Sequence, residues 1–128
     1  MQYGYSRTVG LGMDDAIERV TAELADRGFG VLSTIDVKAT LKKKLDVDRR
    51  PYMILGACNP NFAHQALELE EPIGLLLPCN VVVYENGSND TVIAAIDAKA
   101  MLGVVERSEL DAVAAEVNTM LRAAVDAV

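Results

Sequence analysis

The sequence predicts an α+β fold: a mixed, largely antiparallel sheet with helices packed mainly on one of its faces. The chain has 128 residues, the size of one domain with its own core, so we expect residues 1–128 to form a single domain. Stretches with helical apolar spacing alternate with β-branched stretches in the order β-α-β-α-β-α-β-β-α. Only turn residues separate the last two strands, which predicts an antiparallel hairpin.

The first strand and helix are predicted within residues 2–28. Residues 2–9 have the pattern of a strand. Apolar residues then recur at the spacing of one helical stripe: Met13, Ile17, Val20 and Leu24. Gly28 follows this stripe, at the position where helices commonly end on a residue in the left-handed conformation.

Residues 29–60 repeat the alternation of strand and helix. β-branched residues are frequent from 29 to 37 and predict a second strand. Asp36 is a candidate N-cap for a short helix that follows it. Residues 51–58 are predicted as the third strand. Asn59-Pro60 then predicts a helix start, because Asn caps a helix and Pro presets φ at the first helical residue.

The segment from Pro72 to Glu85 is too interrupted for one regular strand. Pro78 cannot donate a ladder hydrogen bond, so we expect it at a bend, a bulge or a sheet edge. Residues 81–85 and 91–96 are predicted to pair as a hairpin across the turn residues 86–90.

The C-terminal part is predicted to be helical. A short helix follows Asp97, and Ser108 with Asp111 resembles a capping box at the start of a longer one. The apolar stripe of that last helix reaches the end of the chain: Leu110, Val113, Ala114, Val117, Leu121, Ala124 and Val128. Helices on one face of the sheet leave the other face to solvent or to a second subunit.

Charge and hydropathy exclude several classes of partner. The net charge is −7 and the isoelectric point is near 4.6, which argues against binding to nucleic acid or to an anionic membrane surface. No apolar run is long enough to span a bilayer, and no signal peptide is visible at the N-terminus. We therefore expect a cytoplasmic protein with neither nucleic acid nor membrane as a partner.

Two cysteines lie in similar turns, Cys58-Asn59-Pro60 and Pro78-Cys79-Asn80. Cys58 directly precedes a predicted helix start, where a thiol can become a thiolate nucleophile or a metal ligand. The simplest interpretation is that both cysteines are small buried apolar residues. The alternatives are a shared thiol or metal site at Cys58 and Cys79, or a disulfide between them.

The remaining candidate site residues accompany these cysteines. His64 is the only histidine and the only candidate for a third ligand or a general base, although at i+6 from Cys58 it need not point the same way. Asn59 and Asn80 belong to the two cysteine turns. The sequence contains no nucleophile elbow and no phosphate-binding glycine loop, so neither a cofactor nor a reaction type is predicted.

Several strings resemble one family, the bacterial and archaeal "domain of unknown function 302" proteins. They include Ala25-Asp26-Arg27-Gly28-Phe29-Gly30, Ile54-Leu55-Gly56-Ala57-Cys58-Asn59-Pro60, Leu76-Leu77-Pro78-Cys79-Asn80-Val81-Val82-Val83-Tyr84-Glu85 and the segment from Asp97 to Met101. The resemblance spans nearly the whole chain in the same order. It implies a compact fold of helices and strands that tends to pair into homodimers, and it implies no activity.

Three hypotheses for function follow. The first is a small-ligand or metal-binding accessory protein, with a possible thiol or redox role, that uses Cys58, Asn59, Cys79, Asn80 and His64. The second is a non-catalytic module that dimerises through the sheet or an apolar helix face. The third is an enzyme with a cysteine nucleophile, for which the sequence places no base.

Overall fold

The structure is a computed structural model that describes all residues from 1 to 128. The strands are β1 Gly4–Val9, β2 Gly30–Asp36, β3 Tyr52–Cys58, β4 Cys79–Glu85 and β5 Thr91–Ile96. The α-helices are α1 Met13–Asp26, α2 Val37–Leu45, α3 Pro60–Leu69, α4 Ala98–Gly103 and α5 Asp111–Asp126. Two 3₁₀ segments, Glu71–Leu76 and Ser108–Leu110, complete the order. The predicted α+β class and the predicted order of elements are confirmed.

All five strands form one sheet in the spatial order β1-β5-β4-β3-β2. Every neighbouring pair is antiparallel, so the sheet contains none of the parallel pairs that a mixed sheet would have. The predicted hairpin is β4–β5, closed by a loop in which Oδ1 of Asn86 accepts hydrogen bonds from the N–H groups of Ser88 and Asp90. The cysteine-bearing strands β3 and β4 lie side by side in the interior of the sheet.

One face of the sheet holds the main core. Alternate residues of β3, β4 and β5 point into it, and α1 and α5 pack over it and against each other. Side chains that are at most 1% exposed come from both layers: Val20, Leu24, Phe29, Leu55, Val81, Val83, Ile93 and Leu121. In contrast, α2 buries no residue and contacts β2 and β3.

The opposite face, which we call the open face, has apolar residues in register across neighbouring strands. One row runs from Ile35 through Ile54 and Val82 to Ala94, one residue from each of β2, β3, β4 and β5. In the next row the rings of Tyr52 and Tyr84 are stacked, with centroids 5.2 Å apart and planes 12° apart. Along β4, buried residues that point into the core alternate with more exposed residues that point to the open face.

Most element ends lie where the local sequence signals predict them. Gly28 has φ of +83°, the left-handed value expected after α1. Oδ1 of Asp36 accepts a 2.9 Å hydrogen bond from the Ala39 N–H at the start of α2. Pro78 lies just before the first residue of β4, and the Leu77–Pro78 peptide is cis.

The predicted capping box of the last helix is wrong. Ser108 opens a 3₁₀ segment instead of capping α5, and its hydroxyl is 3.4 Å from the Glu109 carboxylate. The helix begins at Asp111 after Leu110, which has no side-chain oxygen and makes no cap.

No helix combines the length and the apolar character needed to cross a membrane.

Candidate functional site

The register of β3 and β4 places the backbones of the two cysteines near each other. Cys79 pairs with Ala57, so Cys58 lies one position out of register on the neighbouring strand. Opposed Cα atoms in antiparallel strands are about 5 Å apart and one residue advances about 3.4 Å, so the two cysteine Cα atoms are separated by about 6 Å. Successive residues of a strand point to opposite faces, so Cys58 is directed away from the face that Ala57 shares with Cys79, and the two free thiols are not aimed at each other for a disulfide.

The two thiols have different environments. Cys79 is only 8% exposed, whereas Cys58 is half-buried at the end of β3. Burial, followed by the proximity of Cys58, raises the pKa of the Cys79 thiol to about 11. Cys79 is therefore a neutral thiol at neutral pH, because an apolar environment disfavours its anion.

Both cysteines line one cavity between the ends of β3 and β4 and helices α3, α4 and α5. We call it the thiol cavity. Its volume is about 30 Å³, and no charged side chain contributes to its wall. A cavity of about 150 Å³ is needed to hold benzene, whereas about 15 Å³ suffices for one water molecule. The thiol cavity therefore has room for an ion or a molecule of a few atoms.

Gly56, which was not among the predicted site residues, allows the close approach of the second cysteine turn. A Cβ at this position would lie 2.9 Å from Cγ of Pro78 and would also collide with the side chain of Ser33. Only a residue without a side chain lets Pro78 pack so closely on β3, one residue before Cys79. The signal available in the sequence is a glycine within a strand, which often marks close approach of another backbone.

Asn59 has the structural role that its position predicted. Its Oδ1 accepts hydrogen bonds from the N–H groups of Asn61 at 3.1 Å and Phe62 at 3.4 Å, which caps α3. Its Nδ2 donates to the carbonyl oxygen of Arg27 at 3.5 Å. Asn59 also lines the thiol cavity, but these backbone contacts engage its polar atoms.

The other two candidate residues are not at the cavity. Asn80 is exposed and lies on the open face, because successive residues of β4 point to opposite sides of the sheet. His64 is exposed on α3 and does not line the thiol cavity. No group of three or more His, Cys, Asp or Glu residues is placed to hold a metal ion.

With this geometry described, comparison with known proteins gives the family. The family model described as "Domain of unknown function DUF302" matches residues 5–128. The chain belongs to this family. A solved DUF302 structure, the crystal structure of an uncharacterized conserved protein from Bacillus stearothermophilus, is 32% identical, with a TM-score of 0.91 over 98% of each chain. Among curated proteins, none matches. The resemblance seen in the cysteine strings is confirmed, and no activity comes with it.

In this DUF302 protein a third sulfur-containing residue lines the thiol cavity. Met101 of α4 lines it together with Cys58 and Cys79. Met101 could not be predicted as a site residue, because a methionine in a short apolar helix has the same pattern as a core residue. Its only signal was its place in the last string of the family resemblance.

A polar network fixes α4, which carries Met101. Oδ1 of Asn118 accepts a 2.6 Å hydrogen bond from the Ala98 N–H, and Oδ1 of Asp97 caps the helix through the Ala100 N–H at 3.0 Å. Although burial opposes ionisation, hydrogen bonds from Ala100 and Asn118 hold the pKa of Asp97 below its usual range. Asp97 therefore stays ionised at neutral pH. By capping α4 it helps to fix the orientation of this part of the cavity wall.

Proposed function

We propose that this DUF302 protein is a non-catalytic accessory protein of the cytoplasm that binds a ligand of a few atoms through Cys58 and Cys79. The observation that supports it is that both cysteines belong to the wall of one narrow apolar cavity. Half-buried Cys58 gives access from solvent, while Cys79 supplies a second sulfur inside. Free thiols of this kind persist in a reducing compartment.

The wall of the cavity favours binding over catalysis. Apart from the two cysteines, the wall contains no titratable side chain. A cysteine-dependent enzyme needs a base or another activating group within hydrogen-bond reach of its nucleophile. His64 is exposed and outside the cavity wall, so this hypothesis has the weakest support of the three.

Native mass spectrometry tests the proposal. The protein is expressed, purified without oxygen, and weighed as the folded chain alongside Cys58→Ala, Cys79→Ala and Ala63→Leu, which adds bulk to the cavity wall. We expect a stoichiometric bound mass in the wild type that is absent from these three variants. His64→Ala is the matched control on α3 and should retain the bound mass. A wild-type chain without added mass, or a bound mass that survives in both cysteine variants, overturns the proposal.

A second function is supported by a separate surface. The open face presents the apolar row Ile35, Ile54, Val82 and Ala94. Ile35 is the most exposed of the four, with 50% of its surface accessible to solvent. A partly exposed apolar row next to stacked tyrosines is typical of a surface that packs against another protein. We propose that a second copy of the chain covers it, so that the protein is a homodimer, as the family resemblance implies. This proposal and the ligand site use different faces and are compatible.

A further inference from the structure

We infer that helix α3 is a lid over the thiol cavity, that Arg107 holds its C-terminal end shut, and that the ligand reaches Cys79 when this end opens. This inference rests on the proposed function, because it concerns entry to the same site. Cys79 is 8% exposed, and the cavity that it lines has a volume of about 30 Å³. The wall of the cavity therefore screens this sulfur from solvent, and a ligand reaches it when part of the wall moves.

Among the helices of the cavity wall, α3 is the most weakly packed. It buries one residue, Ala66, in a length of 10, whereas α5 buries seven in a length of 16. The shorter α4 buries both Ala98 and Leu102. The main contacts of α3 are with α5 and the two 3₁₀ segments, whereas β3 and β4 are each paired with strands on both sides. A helix with so little burial opens locally at a lower cost than the rest of the fold.

The side chains that α3 places over the cavity are mostly small. Phe62, Ala63 and Ala66 line the cavity from this helix. Each alanine contributes little apolar area, and Phe62 is only partly buried against the core, so moving α3 away exposes little apolar surface. Polar contacts at the two ends of α3 therefore supply much of the free energy that holds it in place.

The N-terminal end of α3 is fixed. One residue, Asn59, separates it from β3, and the side chain of Asn59 both caps α3 and donates to the carbonyl oxygen of Arg27. On the other side, Ile73 is 2% exposed and anchors the 3₁₀ segment that follows the helix. Movement is therefore confined to α3 itself and is largest toward Leu69, its last residue.

Arg107 holds this C-terminal end. It lies between α4 and the 3₁₀ segment before α5, and its Nη1 donates to the carbonyl oxygen of Leu69 and, at 3.1 Å, to Oε1 of Glu70. A cation at a helix C-terminus satisfies a free carbonyl group and interacts favourably with the helix dipole. The side chains of Arg107 and Glu70 are 39% and 36% exposed, so solvent screens their attraction and the contact is weak enough to open.

The rate at which Cys79 is modified tests the inference on the whole chain. Cys58→Ala is the background, because it leaves Cys79 as the only thiol. The reagent is dithiobis(nitrobenzoate), which is much larger than the cavity: the thiolate attacks its S–S bond, forms a mixed disulfide and releases one coloured thiolate anion. We expect Arg107→Gln to raise the modification rate about fivefold to tenfold, because the end of α3 opens more often.

Arg7→Gln in the same background is the matched control. Nη1 of Arg7 donates to the carbonyl oxygens of Val125 at 3.3 Å and Asp126 at 3.0 Å, so it holds the C-terminal end of α5 as Arg107 holds that of α3. Arg7→Gln should leave the modification rate unchanged. Low concentrations of urea should change the rate only weakly, because opening of α3 exposes much less surface than global unfolding does.

Three results would overturn the inference: an unchanged rate in Arg107→Gln, an equal acceleration in Arg7→Gln, or a rate that follows the urea dependence of global unfolding. Far-UV circular dichroism establishes that each variant is folded. Any of these results, together with a cysteine-dependent bound mass in the wild type, would remove the lid and leave the proposed function standing. Absence of a bound mass would remove the proposed function and, with it, the role of α3 in ligand entry.

Discussion

The side chain of Asn59 lies against the backbone at Gly28. Its Nδ2 donates to the carbonyl oxygen of Arg27 at 3.5 Å, and a Cβ built on Gly28 would lie 3.0 Å from the same nitrogen. One side chain therefore joins the end of α1 to the start of α3. Since α3 forms a wall of the thiol cavity and begins two residues after Cys58, this contact positions the site as well as the fold.

Replacing Gly28 with alanine should destabilise the protein. The backbone there has φ of +83°, which L side chains rarely adopt, and the new Cβ would press on Asn59. We expect a loss of about 1–2 kcal/mol in the free energy of unfolding, measured by urea denaturation. Gly30→Ala is the control, because a Cβ at Gly30 meets nothing within 4 Å and its φ is not in the left-handed region. Equal stability of Gly28→Ala and the wild type would contradict this account.

Removing the cap at Asn59 should also destabilise the protein, for a different reason. Asn59→Ala leaves the N–H groups of Asn61 and Phe62 without their acceptor and breaks the contact to α1. We expect a cost of about 1–2 kcal/mol in urea unfolding. Asn59→Ser keeps a capping oxygen but loses the donor to α1, so its stability should lie between those of Asn59→Ala and the wild type. Asn59→Ala as stable as the wild type would mean that the cap contributes little.

The sequence predicted much of the fold because its signals are local. Asp36, Gly28 and the capping oxygen of Asn59 act on residues within four positions along the chain, and all three behave as their types predict. The predicted capping box at Ser108 is wrong because residues 108–110 form a 3₁₀ turn, so that the α-helix begins only at Asp111. A 3₁₀ turn pairs residues three positions apart and an α-helix four, a small difference that the local sequence does not reveal. The strand order could not be predicted, since it depends on contacts between β1 and β5 across the whole chain.

The site was predicted only in part, for the same reason. Cys58, Asn59 and Cys79 do line one cavity, but Asn80 points to the other face and His64 lies outside it. The pairing of Cys79 with Ala57 is a register, and register is fixed by side chains far apart in sequence. Met101 and Gly56 acquire their roles through that register and through the packing of α4, which no short string encodes.

Stability should fall at alkaline pH because of Cys79. Burial raises the pKa of this thiol from its ordinary value of 9.0 to about 11. Below about pH 9 the thiol is protonated in both folded and unfolded chains, so it has no effect. Between about pH 9 and pH 11 the unfolded chain loses the proton first, so stability decreases as pH rises, by up to about 1.4 kcal/mol per pH unit.

Urea unfolding of the reduced, metal-free protein between about pH 8 and pH 10.5 measures this slope. The comparison is with Cys79→Ala, whose slope should be shallower because the other titrating groups are unchanged. Absolute stabilities are not compared, since the alanine also removes a packed side chain. Parallel curves for the two proteins would contradict the raised pKa.

A charge in the centre of the open face should separate the proposed dimer. Val82 is the third residue of the row from Ile35 to Ala94, and its side chain points away from the core. In Val82→Lys, dimerisation would bury an unpaired ammonium group, which costs several kcal/mol and should weaken association more than about a hundredfold. In analytical ultracentrifugation, the wild type should sediment with the mass of two chains and Val82→Lys with the mass of one. Thr119→Lys adds the same charge at an exposed position of α5 and should remain dimeric, and circular dichroism should show that both variants are folded. A monomeric wild type at high concentration, or a dimer unaffected by Val82→Lys, would exclude the open face as the interface.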